Sequence, residues 1–136
     1  MSQKTPPHEL LGGQEGISSL LYDLYRRLFS DPLVGFLFEG QDLDRIVSMQ
    51  TKFTARMLGD NTVVYPGKSM PEAHDQHPIL PGHFDRRHRL LQMVLDEHRV
   101  PEEAKVAWLA LDQALRPAIL KAGQVRIEEL RWRDDS

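Results

Sequence analysis

Residues 16–40 read GISSLLYDLYRRLFSDPLVGFLFEG, and the spacing inside them decides the fold. Ile17, Leu20, Leu21, Leu24, Tyr25 and Leu28 fall three and four residues apart, the step that lines one face of an α-helix. That face ends at Asp31-Pro32, because a residue ahead of proline is pushed out of helical geometry. An aromatic stretch, Phe36-Leu37-Phe38, follows and closes at Gly40. Upstream, Gly12-Gly13 marks a turn, and residues 1–10 read as a polar leader.

Working towards the C-terminus, Asp42 is placed to cap a second helix. Its face runs through Leu43, Ile46, Val47, Gln50, Phe53, Thr54 and Met57. The stretch from Gly59 to Ser69 has turn residues at both ends and reads as a loop. A single helical turn fits Pro71 to Gln76, ended by Pro78 and Pro81-Gly82. A third helix is expected over about His83 to His98, with Phe84, His88, Leu91, Leu95 and His98 along one side. Pro101 opens a fourth through Ala104, Trp108, Leu111 and Leu115, and Pro117 is expected to kink or interrupt it. The tail after Gly123 has the makings of a short extra helix. No strand pattern and no repeat occur, so the expectation is an all-α domain over residues 11–122 with an extension over 123–136. Helix pairs packed in this way leave room for a ligand between them.

Bulk properties narrow the function. A chain of 136 residues closes one core rather than two. With 40% hydrophobic and 27% charged residues it has the balance of an ordinary soluble domain. A net charge of -3 gives no ground for a nucleic-acid or anionic-membrane partner. The absence of cysteine excludes disulfides, thiolate metal sites and haem attachment through thioethers. With no signal-like or membrane-spanning apolar run, the expected location is the cytoplasm.

Three side chains stand out once the core is discounted: Tyr25 and Gln50 in otherwise apolar stripes, and His74 on the short turn. Each has an ordinary reading, respectively a core phenol reaching the edge, a stripe-margin amide and a solvated loop imidazole. Six histidines keep a metal site open, through His74 with His77 or His83 with His88. Neither HExxH nor a calcium loop, nucleophile elbow or phosphate-cradling glycine loop is present.

The order and spacing of these features resemble the truncated haemoglobins, or 2/2 globins, and most closely their first group. The matching stretches are Gly12-Gly13, LYRRLFSDPLVGFLFEG at 24–40, DLDRIVSMQTKF at 42–53, YPGKSMPEAH at 65–74 and ILPGHF at 79–84. The resemblance covers about residues 10–120. It implies a two-over-two helical sandwich around non-covalent protohaem (haem b), with reversible oxygen binding. Carried over by position, His74 matches the proximal iron ligand, Tyr25 the distal tyrosine and Gln50 the distal glutamine. Phe38 matches the phenylalanine that packs on the haem, and Ile46 the gate position.

Physical chemistry fits those roles. Neutral imidazole is a good iron ligand. A phenol and an amide donor both favour oxygen, which takes on partial negative charge when held. A hydrogen bond to a charged group contributes about 1.5–3 kcal/mol, or roughly 10- to 150-fold in affinity. Carbon monoxide, less polarised, gains less. Phe36, Phe38, Ile46, Val47 and Phe53 are expected to form apolar walls that slow iron oxidation.

Two departures from the family pattern stand in the sequence. Gly59-Asp60 replaces an expected double glycine, and the stretch from Gln50 to His74 is about one residue longer. The third helix opens on His83-Phe84-Asp85-Arg86-Arg87-His88-Arg89, where an apolar run is expected. Either Arg86 and Arg87 point to solvent or a haem propionate, or the cavity wall differs. The leading function is therefore an oxygen-binding haem globin with possible nitric oxide dioxygenation, which needs an external reductase. It is expected to be a monomer or small homo-oligomer. A haem-based gas sensor and a haem-free helical metal-binding or interaction protein are the alternatives.

Overall fold

The computed structural model describes residues 4–64 and 79–120, and every regular element among them is helical. In chain order these are α1 (Pro7–Leu10), α2 (Gly13–Ser30), a 3-10 turn (Gly35–Phe38), α3 (Leu43–Met57), α4 (Pro81–Glu97) and α5 (Glu102–Ile119). The turn expected at Pro71 to Gln76, His74 and His77 with it, and the helix expected after Gly123 lie outside the described residues.

α2 is the hub. It packs on α3 along one side and on α4 along another, while α4 packs on α5. Ile17, Leu24 and Leu28 on its apolar face are completely buried, each burial contributing about 1.5–3 kcal/mol before chain entropy is counted. Trp108, Leu111 and Leu115 of α5 close the core from the other end.

α1 is an addition to the sequence reading, which gave the leader no helix. Its single turn starts on Pro7 at a position where a missing N–H costs nothing, and it packs on α2 and α5. The link from α1 to α2 is tight. Gly12 is left-handed at φ +89°, and a Cβ on Gly16 would stand 1.7 Å from the Leu11 carbonyl oxygen.

Asp42 caps α3 as expected, its carboxylate accepting the N–H groups of Asp44 and Arg45 at 3.0 and 3.4 Å. Three boundaries differ from expectation. Pro81-Gly82 open α4 rather than end what precedes it, since proline suits the first helical position and His83 Nδ1 accepts the Leu80 N–H at 3.2 Å. Pro101 is the residue before α5 and not its first. Pro117 does not interrupt α5, which runs on to Ile119; the proline falls in the last turn, where only one backbone bond is forfeited. His98, expected on the inner side of α4, is exposed and bonds Asp23 through Nε2 at 2.8 Å. Among the described residues no helix is long and apolar enough to cross a membrane.

Candidate functional site

Tyr25 sits two-thirds of the way along α2, and its place in the stripe turns it inward to 5% exposure. The 3-10 turn brings Phe38 against it, edge to face, with ring centroids 5.9 Å apart and planes at 87°. Phe38 also stacks on Phe29 at 4.9 Å. Asp31 makes that return of the chain possible. Its carboxylate accepts the N–H groups of Leu33 and Val34, so the backbone leaves α2 in a side-chain-closed turn and comes back as the aromatic stretch.

α3 lies alongside with Ile46, Gln50 and Phe53 at successive turns of one face. They are not equally covered. Phe53 and its neighbour Val47 belong to the core at 2% and 1% exposure, whereas Ile46 and Gln50 are half-buried. Phe36, expected in the apolar wall, is instead 56% exposed and meets the His83 ring edge-on at 5.4 Å. The 3-10 geometry explains this, because three residues per turn cannot put both Phe36 and Phe38 on the same side.

The arginines of α4 answer the question left by the sequence. Neither is free in solvent. Arg86 donates from Nε and Nη2 to one Asp31 oxygen, at 2.9 and 2.7 Å, and so ties the start of α4 to the end of α2. Its hydrogen bonds hold the nearly buried Asp31 carboxyl below the usual carboxylate range, against the opposing pull of burial. Arg87 turns inward, its side chain only 20% exposed, with the guanidinium carbon 5.9 Å from the Tyr25 ring centroid. Nη1 donates to Asp112 of α5 at 2.5 Å, and His88 Nδ1 lies 2.7 Å from the other Asp112 oxygen.

Burial works against both charges of this pair. Their mutual attraction wins, helped on the Arg87 side by a hydrogen bond to Tyr25, so that Asp112 stays below, and Arg87 above, its ordinary range. The wall beside Tyr25 is therefore ionic where an apolar one was expected. Asp112 is the residue that sequence reasoning missed. The signal was there: a lone carboxylate one turn from Trp108 and Leu115 in an apolar stripe, facing a helix rich in arginine.

A groove of about 550 Å³ between α2 and α3, lined by Ser18, Ser19, Tyr22, Asp44 and Thr51 among others, includes Val47 but not Tyr25, Phe38, Ile46 or Gln50. Among the described residues no three His, Asp or Glu side chains gather to hold a metal ion.

The residues present suit a flat, mostly apolar cofactor. Phe38, Ile46 and Gln50 are half-buried beside a sealed core, and the apolar Phe36 and Leu80, at 56% and 58% exposure, each meet His83. A phenol and an amide are the polar groups offered, to which the sequence adds one imidazole at His74.

Two packed helical pairs with such residues beside their core define a globin, the class of all-helical proteins that hold haem. The chain belongs to the bacterial-like globin family, whose model matches residues 7–120, and its relatives there are truncated haemoglobins. A group 1 truncated haemoglobin of Tetrahymena pyriformis is 31% identical over 85 residues, 62% of this chain and 69% of that protein. The group 1 truncated haemoglobin GlbN of Mycolicibacterium paratuberculosis is 27% identical over 122 residues, covering 88% and 89% of the two chains. The crystal structure of the Tetrahymena pyriformis protein in its Fe(III) form superposes with a TM-score of 0.78 at 27% identity, covering 85% of this chain and 98% of that one. The two-over-two arrangement expected from the sequence is thus the fold of this protein.

Proposed function

We propose that this haem-binding globin holds oxygen reversibly, with His74 as the iron ligand on one side and Tyr25 and Gln50 as hydrogen-bond donors on the other. Haem, when bound, supplies the iron on which a diatomic ligand is held. The chain's own residues do the rest. Phe38 and Ile46 pack against the ring and exclude water, and Phe53 backs them from the core. Tyr25 and Gln50 offer O–H and N–H to a ligand that draws negative charge.

The observation that carries this reading is the placement of Tyr25: a phenol buried to 5% exposure, fixed by Phe38, and carried by the helix against which Gln50's helix packs. Carbon monoxide and nitric oxide are further ligands of the same position. Dioxygenation of nitric oxide is the reaction open to it: nitric oxide and dioxygen, with one electron from a separate reductase, give nitrate. Without cysteine no thioether to haem can form, and the form proposed is protohaem held through His74 and packing.

The visible spectrum of purified protein tests the assignment. A Soret band present in the wild type and lost or strongly shifted in His74→Ala supports His74 as ligand. An unchanged band in that variant overturns it. Nitrate formed on mixing the oxygenated protein with nitric oxide tests the reaction separately.

A further inference from the structure

We propose that Arg87 makes the ligand side of the haem selective for small inorganic anions, azide being the probe, and that Asp112 sets the strength of that preference. The inference rests on the assignment above of the surroundings of Tyr25 to the ligand side. Three observations carry it. Arg87 is largely buried, at 20% side-chain exposure. Its guanidinium is the member of the ion pair that meets Tyr25, at 5.9 Å from the ring centroid. Asp112, at 5% exposure, is engaged on both oxygens, by Arg87 Nη1 and by His88 Nδ1.

A guanidinium has five N–H donors in a fixed fork. Among the described residues Arg87 donates from Nη1 to Asp112 and also hydrogen-bonds the Tyr25 hydroxyl. The remaining donors lie on a group held next to Tyr25. A cation fixed in this way is already oriented, so it attracts an incoming anion without reorganising. Neutral diatomic ligands gain little from it. The pair is a dipole with its positive end towards Tyr25, and this sets the size of the effect. A full charge about 6 Å away would change anion affinity roughly a hundredfold, and the counter-charge behind it cuts this to about tenfold.

An ion pair that merely ties α4 to α5 predicts a different pattern from one that recognises a ligand, and the sign of the Asp112 effect separates them. Azide is titrated into the ferric holoprotein and followed by the Soret shift, with carbon monoxide on the ferrous protein as the neutral comparison. Asp112→Asn unmasks the cation and is expected to tighten azide several-fold. Arg87→Met combined with Asp112→Asn removes both charges and is expected to weaken azide about tenfold relative to wild type, with Arg87→Lys falling between. Carbon monoxide affinity is expected to move by much less in every case.

The inference is overturned if the double variant binds azide as the wild type does, or if Asp112→Asn weakens it. The double variant leaves no lone buried charge, so it decides the matter should a single variant lose its haem, with far-UV circular dichroism and Soret intensity reporting fold and loading. If the azide series behaves as stated while Tyr25→Phe leaves oxygen release unchanged, the role of the Tyr25 hydroxyl fails and that of Arg87 stands. The converse pattern removes Arg87 alone.

Discussion

The guanidinium of Arg87 lies over the ring of Tyr25, 5.9 Å from its centroid, while the same ring meets Phe38 edge to face at an equal separation. Tyr25 is thus held from two sides through its ring, and its hydroxyl also accepts a hydrogen bond from Arg87. Tyr25→Phe keeps the ring contacts and removes the hydroxyl together with its bond from Arg87. Oxygen release, followed by stopped-flow absorption, is expected to quicken by about tenfold or more, the worth of one hydrogen bond to a charged group. The unfolding midpoint is expected to fall modestly, by the worth of the bond from Arg87, about 1 kcal/mol. An unchanged rate would remove the hydroxyl from the site.

Gln50 is less constrained than Tyr25. It is half-buried on α3, one turn beyond Ile46, and among the described residues no hydrogen bond pins its amide. A donor that must first be ordered gives up part of its bond in side-chain entropy. Gln50→Leu is therefore expected to speed oxygen release by only about threefold. If it has the larger effect of the two, the ranking of the donors is reversed.

Arg86 has a task in stability rather than ligand binding. It supplies two N–H bonds to the nearly buried Asp31, whose other oxygen shapes the turn that delivers Phe38. Arg86→Met leaves that carboxylate with its backbone donors alone. Since Arg86 is about one-third exposed and water can take its place in part, the expected loss is about 1–3 kcal/mol. Urea unfolding of the variant checks this, and a midpoint within error of wild type would show the pair to be idle.

Most of the fold could be read because the stripes of α2 and α3 are long, periodic and capped by residues with a mechanism, Asp31-Pro32 and Asp42 among them. The errors cluster where one residue type has two uses. Proline stops a helix or starts one, and only the contacts of Leu80 and His83 show that Pro81 starts α4. Phe36 and Phe38 look equivalent in sequence, yet the tight turn sends one outward. The candidate site is proposed from residue types at a spacing, Tyr25 and Gln50 above all, and the structure places these two on the packed helices α2 and α3. The ionic wall was not legible, because pairing Arg87 with Asp112 requires two helices to be laid side by side across 25 positions.

Gly16 is the position where the α1–α2 link has no room. A Cβ there would meet the Leu11 carbonyl oxygen at 1.7 Å, and backbone cannot swing aside as a flexible side chain does. In an ordinary helix glycine to alanine is stabilising. Here Gly16→Ala is expected to destabilise by about 1–3 kcal/mol, by forcing α1 away from α2. The thermal midpoint gives the sign directly, and a rise would mean that the link yields.

Acid should expose the Arg87–Asp112 pair. Burial pushes the Asp112 carboxyl up, but the Arg87 charge and the His88 hydrogen bond outweigh it and hold the group below its ordinary value. A carboxyl lowered by folding contributes stability above its unfolded pKa of about 3.9, and that contribution is lost as pH falls through the lower folded value. At neutral pH Asp112→Asn strands a buried guanidinium and is expected to cost about 3 kcal/mol. As pH falls below the unfolded value and through the lower folded one, the wild-type carboxyl takes up a proton and comes to resemble the amide, so the difference between the two proteins should shrink. Thermal unfolding of both across this range, followed by circular dichroism, measures the gap with haem loss common to each. A gap that stays constant or widens in acid would show that Asp112 is not held ionised by Arg87 in the folded protein.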